Sequence, residues 1–140
     1  MPDANLEILH GSVDWAHFLR VLVRLALAVG LGGAIGFERE RERKQPGMRT
    51  HMLVALGSAL FVLVPLEAGG DMRDVTRVIQ GIAAGIGFLG AGSILKLGGE
   101  QEIKGLTTAA SVWLTASIGI AVGGGWLWPA AIAEIGRAHV

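Results

Sequence analysis

The run Thr50-His-Met-Leu-Val-Ala-Leu-Gly-Ser-Ala-Leu-Phe-Val-Leu-Val-Pro-Leu66 decides the fold. It contains no Asp, Glu, Lys or Arg, and at 1.5 Å per helical residue its length approaches the roughly 30 Å of a bilayer's hydrocarbon. A helix of this length facing water would carry polar residues along one side. Three comparable blocks surround it: Phe18 to Phe37, Val78 to Leu97 and Leu106 to Val122. The last two have only Lys96 near one end. A soluble all-α domain is excluded because too little polar surface remains to cover four such rods. The expected fold class is all-α, a polytopic transmembrane bundle with four complete spans and the start of a fifth.

Composition agrees. The chain has 140 residues, too few for a large multidomain enzyme. Twelve Lys and Arg balance twelve Asp and Glu, so no charge excess recruits nucleic acid. Mean hydropathy is +0.53, and the 22 glycines are about twice what a usage of roughly 7% would give. The absence of cysteine rules out disulfides, thiolate metal sites and thiol chemistry.

Residues 1–17 form an N-terminal segment with Asp3, Glu7 and Asp14 but no Lys or Arg. It lacks the basic start of a secretory signal, so the first span is expected to stay in the protein. The first connection contains Arg39, Arg41, Arg43, Lys44 and Arg49, and the third adds Lys96 and Lys104; the second has only Arg73 and Arg77. The positive-inside rule then makes the Glu38–Arg49 loop cytoplasmic and the N-terminus external, with Trp15, Trp126 and Trp128 at the outer interface. The transmembrane domain is expected over residues 18–133. After Trp128-Pro129 a fifth apolar run begins at Ala130 and soon stops. Residues 134–140, Glu-Ile-Gly-Arg-Ala-His-Val, read as an in-frame translation of a sequencing adapter and are set aside. The natural chain is expected to continue into a full fifth helix.

The first span poses a physical problem. It crosses only if Arg20 and Arg24, four apart on one face, enter the membrane, where a central charge costs about 2.5–3.5 kcal/mol. Arg24 either snorkels to the outer headgroups or turns inward to helix-end carbonyls, a hydroxyl or an acid. Glu67, Asp71 and Asp74 are the acidic candidates on that side.

Glycines of the third span, Gly81, Gly85 and Gly92 on one stripe and Gly87 beside it, with Gly90, point to close helix approach. Gly32 and Gly36 repeat the theme in the first span, and Gly119 and Gly123 end the fourth. The expected bundle has span three at its centre. Gly85-Ile-Gly-Phe-Leu-Gly90 has the glycine spacing of a dinucleotide fingerprint, yet no strand precedes it and position 110 is alanine.

Thr107, Thr108, Ser111 and Thr115 could line a polar pathway; the duller alternative has each hydroxyl bonded to its own helix. In the inner loop, Glu38 with Arg41, and Glu40 with Arg43 and Lys44, stand at helical offsets. Span one is therefore expected to run about two turns past the membrane before Pro46-Gly47 turns the chain. No histidine pair has ligand spacing and no nucleophile elbow occurs. Loop carboxylates allow a magnesium site without specifying one, and no cofactor is implied.

Together, Gly32-Gly-Ala-Ile-Gly-Phe-Glu-Arg-Glu40, Gly47-Met-Arg-Thr-His51, Gly85-Ile-Gly-Phe-Leu-Gly-Ala-Gly92 and Lys104-Gly-Leu-Thr-Thr-Ala-Ala110 with Trp113 resemble the membrane domain of the MgtC/SapB family over roughly Val21 to Ala133. The resemblance implies a multi-pass protein of the bacterial inner membrane, non-enzymatic, involved in adaptation to low magnesium or acid stress and associated with virulence. It implies partners among inner-membrane proteins, the rotary ATP synthase or a P-type ATPase, or self-association. The rival reading is a small transporter or channel for magnesium or another ion. By match, Arg24, Glu38, Glu40, Arg49, Thr50 and His51 form the charged signature, and Gly85, Gly87, Gly90 and Gly92 the packing signature.

Overall fold

The computed structural model describes residues 14–95 and 105–139. The expectations placed on residues 1–13, and on Lys96 and Lys104 of the third connection, lie outside the described residues. Five helices follow one another: α1 Trp15–Arg41, α2 Met48–Glu67, α3 Met72–Leu95, α4 Leu106–Gly123 and α5 Leu127–Arg137. The first four are long and apolar enough to cross a membrane, and no strand occurs among the described residues.

Local chemistry sets the helix ends. Asp14 caps α1 by accepting the Ala16 N–H at 3.1 Å. Asp71 precedes α3 and takes the N–H groups of Arg73 (2.8 Å) and Asp74 (3.1 Å), while the Asp74 carboxylate accepts the Asp71 N–H at 3.2 Å. This reciprocal arrangement satisfies donors that the first helical turn leaves free. α1 stops at Arg41, about one turn beyond Phe37 and not the two expected. Arg43 adopts a positive φ of 55° and Lys44 pairs with Glu42, so the helical offsets from Glu40 to Arg43 and Lys44 are not used. That pairing, through its hydrogen bond first and its charge second, holds the exposed Glu42 carboxyl below the usual range. α5 opens three residues before Ala130 and tolerates Pro129 because the first turn needs no N–H there.

Span three is not the centre of the bundle, which corrects the expectation for it; the interior is shared by α4, which packs against all four other helices, and α2. α1 and α4 bring glycines against α2 from two sides. A Cβ on Gly32 would lie 2.6 Å from the His51 carbonyl oxygen and 2.8 Å from the Ala55 Cβ, and one on Gly123 would lie 2.6 Å from the Ala59 carbonyl. Gly36 meets the Met48 backbone and Gly119 the Ala55 backbone in the same way. The core between these helices is correspondingly small-residued: Ala28, Ala55 and Ala59 with Ile35, Ile118 and Val122, all essentially fully buried, joined by Ala130 of α5. α3 attaches from outside, chiefly to α4, through Ile86 packed with Val112 and Ala116.

Large apolar side chains cover the exterior. Phe88 is 80% exposed, Trp128 72% and Phe61 64%. Water would penalise such a surface, whereas hydrocarbon accepts it and demands the internally satisfied backbone that helices supply.

Candidate functional site

Connectivity brings the C-terminus of α1 and the N-termini of α2 and α4 to one end, hereafter the basic end. Here the Gly32–Gly36 face of α1 continues, seven residues on from Gly32, into Arg39, which is only 7% exposed. The close glycine contact draws that face onto its neighbours and buries the guanidinium with it. Arg39 Nη2 donates to Thr108 Oγ1 at 2.5 Å and reaches the Gln45 carbonyl at 3.5 Å, while its buried Nε has no partner.

His51 sits alongside, fully buried on the first turns of α2. Its Nδ1 donates to the Gly47 carbonyl at 2.9 Å, and its Nε2 faces Ser111 Oγ at 3.3 Å. A carbonyl can only accept, which assigns the proton to Nδ1. Ser111 Oγ also lies 2.8 Å from the Thr108 carbonyl; its one proton serves either that carbonyl or His51 Nε2, and the hydroxyls, imidazole and guanidinium cluster where α1, α2 and α4 meet. Glu40 supports it from outside: its Oε2 lies 3.4 Å from the Met48 N–H.

The other signature residues are dispersed. Arg49 and Thr50 are exposed on α2. Glu38 is exposed and contacts Arg137, a residue of the adapter-like string, so that contact carries no functional argument. Arg24 lies at the opposite end. Its Nη1 reaches the Gly123 carbonyl at 3.4 Å, and its guanidinium occupies the space a Cβ on Gly125 would need. The arginine thus meets the carbonyl-rich, negative pole of α4, one of the alternatives left open above. None of the acidic candidates engages it: Glu67 pairs with His17, and Asp71 and Asp74 cap α3.

Thr115 is fully buried and bonds back to the Ser111 carbonyl at 2.8 Å, and Ser117 does the same to Trp113. Thr107 is exposed. Thr108 alone of the four pathway candidates reaches another helix by its side chain to a charged group.

The packing glycines divide sharply. Gly32 and Gly36 are in tight contact, and a Cβ on Gly90 would lie 3.3 Å from the Ala109 Cβ. A Cβ on Gly81, Gly85, Gly87 or Gly92 would meet no atom of the described residues outside its own helix within 4 Å. The expected close approach is absent at those four because α3 turns its Ile86 edge to α4 and leaves the glycines outward. Between α2 and α3 a groove of about 720 Å³, lined by Leu53, Gly57, Phe61, Val78, Gly81 and Gly85 among others, opens to the exterior. No group of three or more His, Cys, Asp or Glu side chains suited to a metal gathers among the described residues.

Arg39 is the residue that sequence reasoning passed over. The sequence counts it only among the basic residues of the first connection. The available signal was its register with Gly32 and Gly36.

An all-helical bundle with four apolar crossings, glycine-mediated contacts and a polar knot at one end defines a multi-pass membrane protein. Its sequence matches the MgtC family over residues 25–138, and the chain belongs to that family. It is 48% identical to Protein SrpB of Synechococcus elongatus over 126 residues, covering 82% of this chain and 67% of that one. It is 43% identical over 111 residues to Putative magnesium transporter YhiD of Escherichia coli, covering 74% and 51% respectively. Protein MgtC of Brucella abortus is 43% identical over 121 residues, covering 86% and 50%. The chain therefore spans about half the length of the last two relatives. No solved structure matches.

Proposed function

We propose that the protein modulates other membrane proteins by helix–helix association during adaptation to low magnesium or acid stress. It does so without enzymatic activity, from the bacterial inner membrane, with the basic end cytoplasmic and the N-terminus outside. The observation that carries the reading is the open face of α3. Glycines in a helix interior cost roughly 1 kcal/mol each relative to alanine, and in α1 and α4 that cost is offset by direct backbone contact. Gly81, Gly85, Gly87 and Gly92 have no such contact among the described residues, so an approaching transmembrane helix supplies the missing neighbour. That neighbour belongs to a partner such as the ATP synthase or a P-type ATPase, or to a second copy.

Ion transport is the second reading, favoured by the name of the Escherichia coli relative and by the polar group at the basic end. Two measurements separate them. Under modulation, a partner complex co-purifies from native membranes and is lost in Gly85→Leu, while proteoliposomes show no magnesium flux. Magnesium flux abolished by Arg24→Ala, with Gly85→Leu leaving complexes intact, would establish transport instead.

A further inference from the structure

α3 is attached to the bundle chiefly through α4, which leaves its opposite face outward. At about 100° of turn per helical residue, Phe88, 80% exposed, stands on the midline of that face. Gly81, Gly85 and Gly92 fall to one side of it and Ala84 and Ala91 to the other, all exposed. Each side begins in a charge. Asp74 lies seven residues before Gly81 and Arg77 seven before Ala84, so the acid heads the glycine side and the arginine heads the alanine side.

Both charged residues are exposed on the first two turns of α3, away from the basic end. Asp74 receives the Asp71 N–H at Oδ2, and a carboxylate has acceptor sites for a guanidinium besides. The face thus presents one acid and one base at nearly the same depth, on opposite sides of a midline, above a field of small residues from which a single ring projects.

We infer that a second copy of the chain docks on this face, α3 against α3, with the Arg77 of each copy meeting the Asp74 of the other. The inference rests on the association reading above and names the occupant. Copies inserted with the same topology are related by a two-fold axis along the membrane normal, which makes their contact isologous. An axis through the Phe88 midline sets the glycine side of each helix against the alanine side of the other. Asp74 then faces Arg77 twice over, and like charges are kept apart. Gly81-Ile-Ala-Ala-Gly85 has the small-residue spacing that lets two membrane helices approach closely, which gives each Phe88 ring room beside the opposing backbone. A foreign helix would have to reproduce this arrangement of charge and small residues; a copy already has it.

Energy transfer between copies tests it. The full chain, labelled with donor or acceptor at a single introduced thiol (Trp15→Cys, a position 70% exposed on α1), is reconstituted in phosphatidylcholine vesicles over a range of protein-to-lipid ratios. With α3 otherwise unaltered, transfer is expected to saturate at two copies. Arg77→Asp sets two carboxylates of each copy against two of the other, and Asp74→Arg does the converse. Each is expected to weaken self-pairing about tenfold or more, and an equal mixture of the two variants to recover the transfer that each has lost. Should Asp74→Arg fail to fold for want of its contact with the Asp71 N–H, Ala84→Leu, exposed and remote from that turn, blocks the close approach and is expected to lower pairing by a similar factor. Transfer no greater than that of randomly distributed chains would overturn the proposal. Transfer that survives both Arg77→Asp and Ala84→Leu would also overturn it, because the copies would then pair through another face. A complex with a different protein, formed without self-pairing and lost in Gly85→Leu, would sink this inference and leave the association reading standing, whereas complexes of every kind indifferent to Gly85→Leu would end both.

Discussion

At the scale of single residues, the same amino acid has opposite meanings in different helices. Gly32 allows α1 to touch the backbone of α2, and an alanine there would place its Cβ 2.6 Å from the His51 carbonyl oxygen. Backbone cannot move aside as a flexible side chain can. Gly32→Ala is therefore expected to destabilise the protein by about 1–3 kcal/mol, the range for overpacking a close contact. Gly85→Ala meets open space, and is expected to be neutral or to gain up to about 1 kcal/mol from helix propensity. Reversible unfolding of both variants in mixed micelles measures the contrast; equal losses would contradict it. Thr108→Val makes a second case. It removes the hydroxyl that receives Arg39 Nη2 while keeping the side-chain shape, and an unsatisfied buried donor costs about 1–3 kcal/mol. A Thr108→Val protein as stable as wild type in the same assay would show that Arg39 finds another acceptor. Residue spacing revealed both glycine stripes and the run of hydroxyls, because these follow from helical periodicity. It could not reveal which stripe has a neighbour, since that depends on helices distant in sequence. Arg39 escaped for the same reason: within Glu38-Arg-Glu-Arg-Glu-Arg its burial is set by contacts with α2 and α4.

At the scale of elements, apolar runs located the four long helices well, because hydrocarbon thickness imposes a length that composition must satisfy. Their polar extensions were less legible. The third apolar run begins at Val78, but α3 begins at Met72, and the additional turns are amphiphilic and anchored by Asp71 and Asp74. Those carboxylates looked available to Arg24 only because the helix start was placed too late. Their capping role leads to a prediction: Asp71→Ala removes acceptors from the Arg73 and Asp74 N–H groups and should cost roughly 1 kcal/mol, as N-cap losses do. Hydrogen exchange ought to register it as faster labelling confined to the first turn of α3, with α2 and α4 unchanged. Uniform acceleration across the bundle would instead make the Asp71 turn part of the global unfolding unit. Arg24 shows the complementary point. Helix-end carbonyls were among its foreseeable partners because every helix leaves such groups at its end, although the particular end, that of α4, required the fold.

At the scale of the whole molecule, α1, α2 and α4 form a tightly closed unit and α3 is appended to its flank. Hydropathy cannot see this asymmetry, because a helix facing lipid and a helix facing other helices are equally apolar. The glycine count misled in the same way, assigning the centre to the glycine-rich third span when the interior is shared by α4 and α2. If the outward face of α3 is a docking surface, a reactive probe there should capture protein, whereas an equally exposed position on α1 should capture lipid. The chain contains no cysteine, so a single introduced thiol carries a benzophenone photocrosslinker uniquely. In native membranes Gly85→Cys so labelled is expected to give discrete adducts, either a second copy or one recurrent partner. Val23→Cys, itself 54% exposed on α1, should give none above background. Exposure is common to both positions and an open glycine neighbourhood belongs to one, so adducts of equal yield at both would mean that α3 faces lipid as the other helices do, and the association reading would lose its structural support.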